Sequence, residues 1–179
     1  MNRHTTIAPG EKEKALHDKT LSALQAAFGD AITGSEIAYD FPVFIVKREK
    51  IYDILQFLKD DNAQQYHFLT TLCGLHYPEN KGKELAVMYQ LHNMPENRRI
   101  RIKTFFPEND AEVPTVTTLW ATAGWMERQE FDFFGIKFKG HPDLRRILNM
   151  EDIDFFPMRK EFPLEDPTRD DKNDTMFGR

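Results

Sequence analysis

The sequence holds one cysteine, Cys73, among 179 residues. A single thiol excludes an internal disulfide, and it excludes a self-contained iron–sulfur cluster, which needs several thiolates. No stretch approaches the ~20 apolar residues of a membrane-spanning helix. The opening residues, Met1 to Lys14, are polar and charged and do not read as a signal peptide. Positive charge is not in excess either. The formal net charge is −5 and the pI about 5.7, so neither nucleic acid nor anionic lipid is attracted overall. The one basic cluster, Arg98 to Lys103, has no interleaved aromatic side chains on which bases could stack. It reads as a solvated sheet face or a contact for an acidic partner. His67, His76, His92 and His141 show no HExxH or similarly close ligand spacing, and Gly135 and Gly140 do not form a phosphate-binding loop. No metal, nicotinamide or ATP site is therefore expected in this chain, which should be cytosolic or peripheral.

Aromatic and proline residues are plentiful by contrast. With 15 Phe and 10 Pro, many large apolar groups fall in irregular chain and need something to cover them, which suits an assembly subunit. The length supports one core and a trailing segment. The expected division is a flexible terminus over 1–10, a compact α/β domain over 11–112, a helical connector over 113–140 and an extended partner-binding arm over 141–179.

Periodicity fills in the compact part. Leu16, Leu21, Leu24, Ala27 and Phe28 predict a helix from Glu11 to Phe28, stopped by Gly29-Asp30. Two short strands, Ile37–Tyr39 and Val43–Val46, are expected around Asp40-Phe41-Pro42. A helix over Glu49–Lys59 follows, with Ile51, Ile54, Leu55 and Leu58 on one face. Alternation then predicts three strands. His67–Cys73 puts His67, Leu69, Thr71 and Cys73 on one face and Phe68, Thr70 and Leu72 on the other. Leu85–Leu91 alternates Leu85, Val87, Tyr89 and Leu91 against Ala86, Met88, Gln90 and His92, and Ile100–Phe106 sets Ile100, Ile102, Thr104 and Phe106 opposite Arg101 and Lys103. Short polar connections make these three an antiparallel meander. The expected fold is α+β: a two-layer α/β sandwich in the order helix, two strands, helix, three strands, with a mainly antiparallel sheet, followed by short helices and an extended C-terminal arm.

Pro107–Val113 reads as a loop. Thr115 is expected to cap a short helix from Val116, Gly124 to interrupt, and a second helix to run from Trp125 to Phe134 with Gly135 as its left-handed stop. Glu127, Glu130, Phe131 and Phe134 share a face of it, and Arg128 and Asp132 are spaced as an i, i+4 pair. His141-Pro142, Phe156-Pro157, Phe162-Pro163 and Asp166-Pro167 block regular helix beyond Gly140. The acidic run Glu165–Asp174 reads either as a disordered tail or as an arm laid on a basic surface. Glu127, Glu130 and Asp132, with Arg128, Arg145 and Arg146, make the strongest charged group. It could be a set of catalytic carboxylates with anion-holding arginines. The alternative is a salt-bridged network locking helix to arm or subunit to subunit, and no nearby histidine or thiol completes a catalytic set.

The run from Trp125 to Leu148, WMERQEFDFFGIKFKGHPDLRRIL, resembles the signature of the 30 kDa subunit family of respiratory complex I, the proton-translocating NADH:quinone oxidoreductase. Phe68-Leu69-Thr70 with Tyr77-Pro78, Asn97 to Arg101, Val113 to Trp120, Met150-Glu151-Asp152 and Pro157 to Leu164 match further blocks in order. The resemblance implies a hydrophilic scaffold subunit with no cofactor of its own, in a complex that carries FMN, iron–sulfur clusters and quinone. Implied partners are a 49 kDa-like quinone-site subunit and the iron–sulfur subunits of the connecting module. The implied place is the cytoplasmic face of the inner membrane, peripheral, through that hetero-oligomer. Trp125, Glu127, Arg128, Glu130, Asp132, Gly135, His141, Pro142, Asp143, Arg145, Arg146, Arg159 and Lys160 are then structural and docking residues, with no chemical step assigned. Alternatives are the equivalent subunit of a membrane-bound hydrogenase, formate hydrogenlyase or ferredoxin-linked complex, and a free-standing soluble enzyme.

Overall fold

A computed structural model describes residues 10–162; expectations for the first nine residues, the acidic run Glu165–Asp174 and the rest of the arm lie outside the described residues. Helix α1, Glu11–Phe28, ends where Gly29 turns to φ 50°, a conformation that costs glycine little. Its inward side carries Thr20 and Leu24, both fully buried, whereas Ala27 is exposed. Strands β1, Ile32–Ala38, and β2, Phe41–Val46, follow as an antiparallel hairpin. They are longer than expected because the turn needs only two residues. Tyr39 (φ 51°) and Asp40 (φ 64°) both take the left-handed conformation that matches strand twist in such hairpins. Pro42 does not break β2. Pairing of β2 with its other neighbour starts at Val43, so the missing proline amide removes no bond from that ladder.

After a single 3-10 turn over Arg48–Lys50, α2, Ile51–Asp60, buries Ile51, Ile54, Leu55 and Leu58 completely, as their spacing requires. Strands β3, Phe68–His76, β4, Leu85–Asn93, and β5, Arg98–Phe106, form the expected antiparallel meander. The alternation expected for β3 fails, however. A register shift between Leu69 and Thr71 inserts one residue, so Leu69 and Leu72, expected on opposite faces, are both buried, together with Gly74 and His76. One extra residue reverses a period of two, and here it turns Leu72 inward.

The five strands order as β1-β2-β5-β4-β3, with β2 and β5 parallel. Phe44, Val46, Leu85, Val87, Tyr89, Leu91, Ile100, Ile102 and Phe106 from the sheet join Leu24, Ile51, Ile54, Leu55 and Leu58 from the helices in one core. Both edges are therefore hairpin strands, and the last strand to be made lies in the middle.

The connector differs from expectation. Glu112–Pro114 is a strand, β6, paired in parallel with β7, Lys137–Lys139, where the sequence suggests a loop. No helix begins at Val116. The amides of Leu119 and Trp120 close a single turn on the Val116 carbonyl, and the Thr115 hydroxyl accepts the Thr117 amide. Helix α3, Ala123–Phe134, includes Gly124, and Gly135 (φ 75°) stops it as expected. From His141 to Phe162 there is neither helix nor strand, but the chain lies back along α3 and reaches His76. We call this stretch the strap. No helix among the described residues is long and apolar enough to cross a membrane.

Candidate functional site

Two faces of α3 hold the charged group singled out by the sequence. Glu127 and Glu130, three residues apart, point inward; Trp125, Arg128 and Asp132, at i, i+3 and i+7, share the side on which the strap lies. Glu127 is fully buried, with one oxygen 2.7 Å from the Val116 amide and the other 2.5 Å from the Thr115 hydroxyl. Burial outweighs these bonds and pushes its pKa up to about 7. The nearby Tyr89 phenol, wholly enclosed, is pushed well above its usual value by burial and by that carboxylate.

Glu130 accepts the Gly74 amide at 2.6 Å and is likewise raised to about 7 by burial. Gly74 lies on β3, an edge strand, so this carboxylate satisfies a backbone donor that has no sixth strand to receive it. A Cβ at residue 74 would meet Phe134 at 2.7 Å and Glu130 at 2.8 Å, and only glycine fits.

Asp132 is fully buried and takes five donors: the amides of Ile147 (3.1 Å), Leu148 (2.8 Å) and Asn149 (3.0 Å), the Asn149 side chain (3.0 Å) and Arg146 (2.9 Å). Burial acts to raise its pKa, but these bonds overcome it and hold the carboxyl well below the usual range. Arg146 also donates to the carbonyls of Asp132 and Ile153. The expected Arg128–Asp132 pair does not form. Arg128 instead donates to the carbonyls of Arg145 (3.1 Å) and Arg146 (3.3 Å) and lies 5.1 Å over the Trp125 ring. Asp132 is already saturated by the strap, which leaves Arg128 to the carbonyls beside it.

The strap has further anchors. His141 donates from Nε2 to the Gly124 carbonyl at 3.0 Å while its Nδ1 accepts the Asp143 amide, and Pro142 between them is exposed. Arg145 is two-thirds exposed and, among the described residues, pairs only with Asp143. Arg159 donates to the Phe134 carbonyl and forms an ion pair with Glu108. Phe156 lies between the guanidiniums of Arg146 and Arg159, against Gly135, where a Cβ would come within 2.5 Å of its ring. Lys160 gives its amide to His76 Nδ1 and sets its ammonium 5.7 Å from the Tyr77 ring centre.

The three carboxylates thus serve three backbone tasks and do not converge on one reacting position. Among the described residues, donor atoms of His76, Glu108 and Glu161 come within 4.8 Å of one another. That set fits a metal poorly. Glu108 is paired with Arg159, and Nδ1 of His76 accepts an amide, so a neutral ring carries its proton on Nε2 and lacks a free lone pair there. Gly74, Glu108 and Phe156 give no signal of their roles in the sequence, because each is defined by a partner more than twenty residues away.

Residues 44–168 match the family model described as respiratory-chain NADH dehydrogenase, 30 Kd subunit. A Rhizobium etli protein named as a subunit of NADH-quinone oxidoreductase is 45% identical over 138 residues, 76% of this chain and 72% of that protein. Its namesake in Rhizobium meliloti is 41% identical over 153 residues, 85% and 81% of the two chains. Among solved structures, a trypsin-resistant fragment of Nqo5 superposes with a TM-score of 0.61 at 30% identity, covering 70% of this chain and 99% of that one. The membrane-bound sulfane sulfur reductase, an archaeal respiratory membrane complex, holds a chain that gives a TM-score of 0.68 over 82% of this chain and 85% of its own, and at 22% identity it shares the fold. With the matched residues spanning β3 to β5, α3 and the strap, the chain belongs to the respiratory-chain NADH dehydrogenase 30 kDa subunit family.

Proposed function

We propose that the chain is a non-catalytic scaffold subunit in the peripheral arm of an NADH:quinone oxidoreductase. In this reading it sits at the cytoplasmic face of the inner membrane beside a 49 kDa-like quinone-site subunit and iron–sulfur subunits. FMN, clusters and quinone belong to those neighbours, electrons run from NADH through the clusters to quinone, and proton translocation follows in the assembly. The body up to about residue 112, the connector and the strap contribute geometry, since rigid interfaces hold neighbouring cofactors at fixed separations.

One observation carries this reading: the three carboxylates and two of the three arginines that could have formed a catalytic group are consumed in holding the strap, an edge strand and the Thr115–Val116 segment. Asp132 has five donors, Glu127 and Glu130 each hold a backbone amide, and Arg128 and Arg146 cap carbonyls. The relatives' shared name supplies the complex. The same fold in a sulfane sulfur reductase means that the fold alone does not set the electron donor.

Charge reversal tests the proposal. Arg146→Glu, which strands Asp132, should lower the amount of assembled complex several-fold and leave quinone reduction per assembled complex unchanged. Normal assembly with lost turnover would place chemistry at this group. Mass spectrometry of the gently solubilised complex should find an FMN- and NADH-binding subunit; a hydrogenase or formate-oxidising module in its place would change the donor.

A further inference from the structure

Trp125 is 66% exposed, Leu148 63% and Met150 70%, the largest values among the large hydrophobic side chains of the connector and the described part of the strap. They are not scattered. Trp125 lies on the side of α3 that carries Arg128 and Asp132, and both of those residues bind the strap beside Leu148 and Met150. Arg128 covers the Trp125 ring and holds the carbonyls of Arg145 and Arg146, while Asp132 gathers the amides of Ile147, Leu148 and Asn149. A buried ion pair and a cation–π contact therefore fix the backbone from which two bare apolar side chains project into water. Folding alone does not call for this, because Leu144, Ile147 and Ile153 already supply the half-buried contacts of the strap. The border is charged in one sense. Glu151, Asp152 and Asp154 are exposed, with no ion pair among the described residues, and the one exposed arginine of this stretch, Arg145, is paired with Asp143.

We infer that Trp125, Leu148 and Met150 form a preorganised docking ridge for a neighbouring subunit, one whose surface offers an apolar groove bordered by lysine or arginine opposite Glu151, Asp152 and Asp154. The inference rests on the scaffold reading and adds to it the face that is used. Rigid apolar anchors bind well because little ordering remains to be done at contact, and tryptophan and methionine are favoured at the centres of such interfaces. The carboxylates set orientation and speed of encounter more than strength.

The test uses the full chain in its own complex, with a photo-crosslinking amino acid placed at residue 148 and, in a separate strain, at Met94, an exposed apolar residue on the β4–β5 turn. Residue 148 should give an adduct with one other subunit, and Met94 should not. Leu148→Asp and Met150→Asp should each cut incorporation about tenfold or more, while the isolated variants keep the melting temperature of the unaltered chain. Glu151→Lys with Asp152→Lys should slow incorporation several-fold, an effect that fades as salt is added. Full incorporation of Leu148→Asp, an adduct from Met94 but none from residue 148, or an adduct with a second copy of this chain would each overturn the ridge while leaving the scaffold reading intact. Loss of the charge effect would overturn the basic border. If the unaltered chain is found in no complex, the scaffold reading fails and takes the ridge with it.

Discussion

Raising the pH from 5 to 8 should weaken the isolated chain, and Glu127→Gln should remove part of that weakness. Glu127 titrates near 7 when folded, against an ordinary 4.5, because ionising it in the core forfeits hydration. The folded state therefore holds this proton more tightly than the unfolded state. Its contribution is complete below pH 4.5, drains away as the unfolded chain ionises between 4.5 and 7, and is gone above 7. The difference amounts to about 3 kcal/mol, and Glu130 adds a similar fall over the same window. Against a total stability of about 5–15 kcal/mol the loss is large.

Glutamine at 127 can keep the network: its oxygen accepts the Val116 amide and its NH2 group donates to Thr115, whose hydroxyl turns to Thr117, 3.0 Å away. At pH 8 the variant should gain about 2–3 kcal/mol, or about 5–10 °C in melting temperature for a chain of this size; at pH 5 it should differ little. Urea unfolding followed by far-ultraviolet circular dichroism at both pH values measures this. Equal losses at pH 5 and 8 would mean that Glu127 is a charged, stabilising carboxylate and would refute the argument.

The other predictions concern the strap and the edge strand. Asp132→Ala leaves Arg146 half-enclosed without its partner and should cost about 3–5 kcal/mol, with proteolytic cleavage appearing first between residues 143 and 160. Asp132 also creates an acid limb: its carboxyl is depressed on folding, so its contribution is present above pH 3.8 and is lost as the pH falls further. Gly74→Ala should cost about 1–3 kcal/mol by overpacking against Phe134 and Glu130, read as a lower urea midpoint with an unchanged slope. Gly135→Ala combines a left-handed backbone with a clash on Phe156 and should cost at least about 1–2 kcal/mol. Glycine substitutions of equal effect at an open position such as Gly82 would show that the clash is not the cause.

Local signals translate directly into structure. Ile51, Ile54, Leu55 and Leu58 define the buried side of α2 because their spacing matches a helical turn, and the alternation from Leu85 to Leu91 and from Ile100 to Phe106 identifies the inner face of the sheet. Gly29 and Gly135 end their helices where a left-handed or otherwise strained backbone is needed. The charged residues of α3 stand out as a group by their density and by the family signature. Their individual partners do not, since spacing on a helix pairs Arg128 with Asp132 only when neither has a better offer.

The sequence by itself determined α1, α2 and most of α3, the meander, the absence of a disulfide framework and the family, because each depends on residue type and short-range spacing. Tertiary structure alone decided the parallel β2–β5 pair, the small β6–β7 sheet, the bulge in β3 and the path of the strap. Those features join residues far apart in the chain: Val43 with Arg101, Glu112 with Lys137, Gly74 with Glu130, and Lys160 with His76. A contact between partners that far apart leaves no periodic trace, so only the folded chain shows which backbone groups are held by the carboxylates that the sequence marks as a charged cluster.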